Sequence, residues 1–455
     1  MNVFWYQRDL RIPDNRGLAA ATADDTTLPV YIVDDSVLES IGDRQRTFLY
    51  AGLRHLRNQY RRHGSELVIR RGDPVDQLSE ISEAYDAETI YYNTHYNPAR
   101  RERQRRVDEA LSTESVIDLT LVDPAALAAS YRSHSQFYND WQSEPKPTPA
   151  EVDTERLAEV DDETPVPEFE TDIDLPKAGY GAARDRYDQF RHNGIETYND
   201  TRDDMERAVE KPVGAVSRLS PYLAAGMIGI RELWADATER YEAASEESAR
   251  RNIEKFRYEL SWREQNYHLL YNNPKLPTEN YKEIPNQIAW QNDPAEFAAW
   301  TEGRTGYPLV DAGMRQLDRE GYIHNRPRQN VASFLTKHLL VDWRNGANYF
   351  AEQLIDFDPA NNSANWQWIA STGTDSVDVR IFDPVAQMSK YDDDAVYVKA
   401  YVPELRDVDA AKIVEWPNLS TDEREELAPE YFEPIVDRDA AYERAQRVFA
   451  SALGK

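Results

Sequence analysis

The sequence predicts an N-terminal α/β domain with a parallel sheet, followed by a larger all-α domain. Three observations carry this. Strand-like and helix-like stretches alternate through the first 130 residues. A stretch rich in Pro, Asp, Glu and Thr, from about residue 143 to 179, breaks that pattern and reads as a linker or surface wrap. From about Ala182 onward the apolar spacing is helical, with few strand signals. The expected domains are therefore 1–130 (α/β), 131–181 (linker) and 182–455 (helical).

Residues 3–6, 29–33, 66–70, 89–93 and 115–121 read as short strands. Between them, Leu49, Leu53, Leu56 and Tyr60 fall on one helical face. Strand–helix–strand alternation implies a Rossmann-like parallel sheet with helices on both sides. No GxGxxG follows the first strand, so the ordinary dinucleotide fingerprint is absent. No internal repeat is visible.

Composition removes several chemistries. The chain has no cysteine, which excludes disulfides, thiol nucleophiles and cysteine-bound clusters. Its 8 His are scattered without an HxxxH or HExxH pair, so no catalytic metal is expected. No run of about 18 apolar residues appears, and no membrane span is expected. The start, with charged residues soon after Tyr6, lacks a signal-peptide pattern and points to the cytoplasm. The formal charge is −29, from 82 acidic and 53 basic residues. Taken alone, that charge repels phosphates. The bases are mostly Arg, however, and the acids are spread along the chain, as in proteins of salt-loving organisms. Salt shortens the Debye length to roughly 3 Å at 1 M. A local basic, aromatic-lined cleft therefore decides nucleic-acid binding more than net charge does. An acidic exterior points to a soluble monomer.

Four stretches of the helical part are dense in groups that could hold a planar cofactor and an extruded nucleotide. In the first, Tyr198-Asn-Asp-Thr-Arg202 precedes Ser217-Arg-Leu-Ser-Pro-Tyr222. Ser217 and Ser220 before a Pro at a helix start suit anion binding, or an ordinary helix cap. In the second, Glu259, Trp262 and Arg263 are spaced to share one helical face. They could hydrogen-bond and stack on a base, or form a surface ion pair beside a core Trp. The third, Asn325-Arg-Pro-Arg328-Gln329-Asn330, leads into an apolar helical stretch over residues 331–340. Its amides and guanidinium groups suit phosphate and base contacts, or a polar helix start. The fourth runs from Asp356 and Asp358 through Asn362 to Trp366-Gln-Trp368. Its acids could meet ribityl or ring N–H groups; a capped helix start with core Trp residues is the plainer reading. Counted as an EF-hand loop from Asp356, the fifth, sixth and twelfth positions are Ala360, Asn361 and Gln367. Calcium needs an oxygen ligand, Gly and Glu there, so that reading fails.

Together these stretches resemble the photolyase/cryptochrome family over nearly the whole chain. The resemblance starts at Trp5-Tyr-Gln-Arg8-Asp9-Leu10-Arg11 and passes through Trp262-Arg-Glu264 and Gly306-Tyr-Pro-Leu-Val-Asp-Ala-Gly-Met314. It ends near Val402-Pro-Glu-Leu405, with residues 325–383 as the longest block. It implies an antenna-binding α/β domain and a helical FAD-binding domain. Tyr198, Ser217, Leu219, Ser220, Arg263, Asp356, Asp358 and Asn362 would contact FAD, with Asn362 near the redox nitrogen of the ring. Trp290, Trp343 and Trp366 match the family's three-tryptophan electron path. Glu259, Trp262, Asn325 and Trp368 match positions that hold a flipped pyrimidine dimer, and Arg202, Arg328 and Gln387 match DNA-contacting positions. The implied activity is light-driven repair of cyclobutane pyrimidine dimers in ultraviolet-damaged DNA, single- or double-stranded, with Glu259 steadying the dimer. The alternative is a blue-light receptor; the chain ends soon after the resemblance does, without the long tail common in receptors, which favours repair.

This chain also departs from the family pattern. Gln329 stands where dimer-repairing enzymes usually have Met, and residues 325–331 look more like DASH-type cryptochromes, which favour single-stranded DNA. Gln265 replaces the usual aromatic after Trp-Arg-Glu, and residues 376–380 are shorter than the common form. Asn325 and Gln329 are not the His pair of the (6-4) enzymes. Tyr96-Asn-Pro-Ala99-Arg100 lacks the Asn-Glu pair that grips a folate antenna, so a deazaflavin antenna, or none, is expected.

Overall fold

The computed structural model describes residues 1–375 and 377–455; Ser376, first of the shortened segment 376–380, lies outside the described residues. Contacts group the chain into two compact units. The first comprises Met1–His192, Arg218–Pro274 and Ile355–Asp358; the second comprises Asn193–Ser217, Lys275–Leu354 and Pro359–Lys455. This grouping differs from sequence boundaries at 130 and 181. Part of the helical region, including helices Ile230–Ala243 and Glu247–Asn272, packs with the sheet.

The sheet of the first unit has five parallel strands: β1 Asn2–Tyr6, β2 Thr27–Val33, β3 Val68–Arg71, β4 Thr89–Asn93 and β5 Thr113–Val116. Their order is β3-β2-β1-β4-β5, as the alternation implied. Every residue of β1 and β2 is buried, as in a sheet covered on both faces. β3 starts two residues later than the sequence pattern proposed, because Glu66 serves another purpose. Its carboxylate takes Arg57 Nε and Arg61 Nε, each at 2.7 Å. β5 is an edge strand, and residues 117–121, expected to prolong it, leave the sheet. Asp118 turns inward to buried arginines, while the Leu121 and Val122 N–H groups go to Glu264. The connector largely lacks regular structure between residues 144 and 179, and it wraps the sheet. Leu157 bridges Thr27, and Asp162 accepts from Ile69 N at 2.7 Å.

Four buried charges lock the first unit. Arg231, fully buried at the start of helix Ile230–Ala243, reaches Asp14 Oδ1 at 2.7 Å and Asp118 Oδ1 at 2.5 Å. Arg11 reaches the other oxygen of Asp118 at 2.6 Å and donates to Gly226 O at 3.1 Å. Buried charges persist only when paired and hydrogen-bonded, so these groups fix the helix against the exit of β1.

The second unit is helical, around a core containing Val398, Leu405 and Trp416. Asp311 holds the turn before its own helix, accepting from Thr305 N (2.7 Å), Gly306 N (3.0 Å) and Tyr431 OH (2.6 Å). Gly306 is needed there: its φ is +75°, and a Cβ would lie 2.4 Å from the Glu433 carbonyl. The apolar stretch 331–340 is not one regular helix. Helix Asn325–Ser333 passes into a π-helical turn, Phe334–His338. Among the described residues no helix is long and apolar enough to cross a membrane.

Replacing Arg231 by Met should leave Asp14 in the interior without its cation and Asp118 with Arg11 alone. The expected cost is about 3–5 kcal/mol of unfolding free energy, read from urea denaturation at high salt. A loss under about 1 kcal/mol would show that these charges are solvated rather than locked.

Candidate functional site

Within the first unit, helix Glu247–Asn272 carries three of the expected residues. Glu259 is partly exposed and paired with Lys255 one turn earlier, at 2.7 Å. Trp262, half-buried, stacks flat on His134, with ring centres 3.7 Å apart and planes 9° from parallel. Arg263 turns inward: its Nη1 donates to Leu119 O at 2.9 Å, and its guanidinium lies 4.7 Å from the Tyr267 ring centre. Glu264 is structural. It accepts from Leu121 N (2.8 Å), Val122 N (3.3 Å) and Trp141 Nε1 (3.2 Å). Burial pushes its carboxyl above the usual range, opposed by Arg263 and these donors.

Asp358, 5% exposed, accepts from Tyr267 OH at 2.6 Å and Arg8 Nη1 at 2.9 Å through the same oxygen. Burial works against the Arg8 charge, yet Tyr267 and Asp358 hold it above its ordinary value. Burial, then Asp358, push the Tyr267 phenol up. The peptide before Asp358 is pinned as well, because Gln45 Nε2 donates to Phe357 O at 2.6 Å. Asp356 lies in the same short segment, Ile355–Asp358. Arg8 and Tyr267 were missed as partners of Asp358. The clue was an Arg in the first strand's exit motif and a Tyr one helical turn beyond Arg263.

Neither serine of the Ser-x-x-Ser-Pro motif caps the helix Ser220–Ala224. Leu219, buried, stands at the cap and offers no side-chain acceptor, after Arg218 in the left-handed region (φ +49°). The plain helix-cap reading is thereby corrected; Ser220 is exposed at the helix start.

A hollow of the first unit opens at the carboxyl ends of β1 and β2. Its lining includes Tyr6, Tyr31, Asp34, Tyr50, Arg100 and Arg103. It lies beside the point where the strand order reverses, between β1 and β4, where open parallel sheets bind ligands. Arg103 is committed to Asp34 (3.1 Å) and Gln7 (2.9 Å). Burial, with Arg103 and Arg8 nearby, pulls the Arg100 guanidinium down to about 9.

In the second unit, Tyr198 opens the short helix Tyr198–Thr201, Arg202 follows at its end, and half-buried Ser217 lies outside any helix. Arg202 lies 3.7 Å from Asp203, which also pairs with Arg326. Asn325 is exposed at the start of its helix, capped by His324. Gln329 Oε1 accepts from Arg326 Nη1 at 3.1 Å, and Arg326 lies over Tyr391, 4.6 Å from the ring centre. Lys390 sits 4.9 Å from the same ring, one turn from half-buried Gln387. Arg328 lies 5.8 Å from the Phe350 ring centre. Arg326, Lys390 and Tyr391 thus form a basic, aromatic patch that the sequence reading did not single out.

Asn362 Nδ2 donates to Ala347 O at 2.9 Å, which fixes the amide's orientation. Trp368 is half-buried, with the Arg380 guanidinium 5.0 Å from its ring centre and Asp375 holding Arg380 at 2.9 Å. Trp343 is fully buried and donates from Nε1 to Asn280 at 3.0 Å. Trp366 is buried against Phe350 (5.0 Å) and Trp300 (6.2 Å), while Trp290 is half-buried beside Phe449 (5.9 Å). No ring contact joins these three tryptophans directly. Gly346, one turn after Trp343, lets Trp366 approach: a Cβ there would lie 2.2 Å from the Trp366 ring.

The donor set fits a flavin. Carboxylates at 356 and 358 can accept from ring and ribityl donors, Arg263 can donate, and Asn362 offers an oriented amide. Comparison with known proteins agrees. The family described as "FAD binding domain of DNA photolyase" matches residues 256–451, and that described as "DNA photolyase" matches residues 2–155. The chain is 40% identical over 485 aligned residues to the "Deoxyribodipyrimidine photo-lyase" of Halobacterium salinarum, covering 100% of both. It is 34% identical to the "Cryptochrome DASH" of Natronomonas pharaonis, covering 97% of this chain and 99% of that one. The crystal structure of a bacterial class III photolyase from Agrobacterium tumefaciens superposes with a TM-score of 0.88 at 33% identity, covering 100% of this chain and 98% of that one. The chain belongs to the photolyase/cryptochrome family, with a flavin-binding domain.

Substituting Gly346 by Ala should drive the Trp366 ring from its place at a cost of about 1–3 kcal/mol. Thermal unfolding and Trp fluorescence would read this. Unchanged spectra and stability would mean the ring has room to move.

Proposed function

We propose that this protein repairs cyclobutane pyrimidine dimers in ultraviolet-damaged DNA in a light-dependent reaction. The residues named below would hold reduced FAD, which under light would supply the electron that opens the cyclobutane ring and take it back once the two pyrimidines separate. One observation carries the reading. A single helix presents a half-exposed carboxylate and a stacking face, Glu259 and Trp262, beside Arg263, whose Tyr267 neighbour holds Asp358.

The residues divide the work. The dimer leaves the duplex at least cost where pairing is already damaged. Trp262 and Trp368 give it apolar walls, and Glu259 hydrogen-bonds the pyrimidine edge. Asn325, Arg328 and Gln329, with Arg202 and Gln387, meet the DNA strand. Tyr198, Ser217, Leu219, Ser220, Arg263, Asp356, Asp358 and Asn362 would bind the flavin. Trp366, Trp343 and Trp290 pass electrons toward the surface, consistent with burial of the first two and partial exposure of the third. The DASH-like stretch 325–331 and Gln329 favour single-stranded DNA. The acidic composition supports a monomer.

The hollow at the ends of β1 and β2 is the candidate place for an antenna chromophore. Aromatic Tyr6, Tyr31 and Tyr50 suit a planar ring, and Arg100 suits an anionic edge, as a deazaflavin would bring.

The test is repair of ultraviolet-irradiated oligothymidylate, single-stranded and duplex, in strong salt, under blue light and in darkness. Light-dependent repair is expected, faster on single strands. Glu259→Ala should lower repair by about ten-fold or more while FAD stays bound. Equal repair in darkness, or an unaffected Glu259→Ala variant, would contradict the assignment.

A further inference from the structure

His134 takes no part in the chemistry above, yet it makes a close, flat ring stack. Its imidazole lies flat on Trp262, with ring centres 3.7 Å apart and planes 9° from parallel. Both ring nitrogens are tied to the helix that carries Trp262. Nδ1 lies 2.7 Å from Gln265 Oε1, for which it must be the donor. Nε2 lies 3.0 Å from Ser261 Oγ, whose hydroxyl also donates to Tyr258 O at 2.7 Å. Ser261 and Gln265 flank Trp262 at −1 and +3, so imidazole and indole are held by one turn of helix Glu247–Asn272. Tyr258 closes the edge at 4.7 Å, nearly perpendicular, and Tyr138 lies at 6.2 Å.

We propose that His134 is a positioning residue that fixes the Trp262 indole as one wall of the lesion site and leaves a single indole face for a base. The proposal rests on the reading of Trp262 as that wall. The stack is between neutral rings. Burial lowers the imidazole to about 4; the Gln265 hydrogen bond opposes this and the Lys255 charge adds to it. The groups facing the ring that could charge it or respond to it are Tyr138, Tyr258 and Lys255. A neutral ring neither draws phosphate into the site nor changes charge near neutral pH. It also explains Gln265, which replaces an aromatic in the sequence: its amide oxygen is the acceptor that holds the imidazole in plane.

The experiment uses the full-length, FAD-loaded protein and a single-stranded oligothymidylate carrying one cyclobutane dimer. Two substitutions fill the volume at 134, and only one restores an aromatic face. His134→Phe should bind the lesion within about two-fold of the unaltered protein, and His134→Leu about three- to ten-fold more weakly. Repair per bound lesion should be unchanged in both. In a Trp262→Ala background, His134→Leu should have no further effect, a coupling that a merely structural role would not produce. If His134→Leu loses FAD, Gln265→Met provides the second test, and weaker lesion binding with FAD retained is expected. Two results would overturn the proposal: His134→Leu binding as the unaltered protein does, or His134→Leu and His134→Phe being equally weak. If Trp262→Ala itself leaves lesion affinity unchanged, the lesion-wall reading fails instead.

Discussion

Asp358 is a buried carboxylate, and burial alone would force it to neutralise or to find a cation. Arg8 and Tyr267 meet it through one oxygen, at 2.9 and 2.6 Å. Arg8 in turn can reach it only because the chain at the exit of β1 is held. Asp9 accepts from the Gln7 and Arg8 N–H groups, Leu10 N donates to Ala225 O, and Gly226 sits so close that a Cβ would lie 2.3 Å from Arg8 O. The motif from Trp5 to Arg11 therefore does more than end a strand. It sets where a buried acid of the segment 355–358 points, and it ties that acid to the helix bearing Glu259, Trp262 and Arg263. Removing Asp358 would leave Arg8 as a buried cation without its partner, the costliest kind of change in an interior.

Much of this was legible in the sequence, for a physical reason. Strands β1, β2 and β4 are apolar runs covered on both faces, so burial wrote itself into consecutive residues. The flavin-binding set was legible only as a pattern of motifs, because each piece alone suits an ordinary cap or ion pair. What stayed hidden were the partners. Asp118 read as part of a strand, but the cost of leaving Arg11 and Arg231 unpaired pulls it out of the sheet. The regular helix expected over 331–340 yields to a π-helical turn. His134 belongs to no motif, and its pairing with Gln265 spans 131 positions of sequence. Periodicity reports which face is buried; it does not report which polar groups must meet once they are buried.

The acidic charge and the DNA-binding reading are compatible on local grounds. The candidate contacts of the second unit gather guanidinium and ammonium groups around Tyr391, with Arg326 and Lys390 over its ring, where Asp203 pairs with Arg326 and the run Asp392-Asp393-Asp394 follows in sequence. At the ionic strength such a composition suits, distant acids are screened and close contacts survive.

The proposed repair turns on electron donation from an excited, protein-bound flavin to a base that would be held against Trp262. The most direct measurement is the fluorescence lifetime of the reduced flavin in the purified protein, with and without dimer-containing single-stranded DNA. The lesion should shorten the lifetime, and undamaged DNA of the same sequence should not. A lifetime indifferent to the lesion at saturating DNA would contradict the proposed repair.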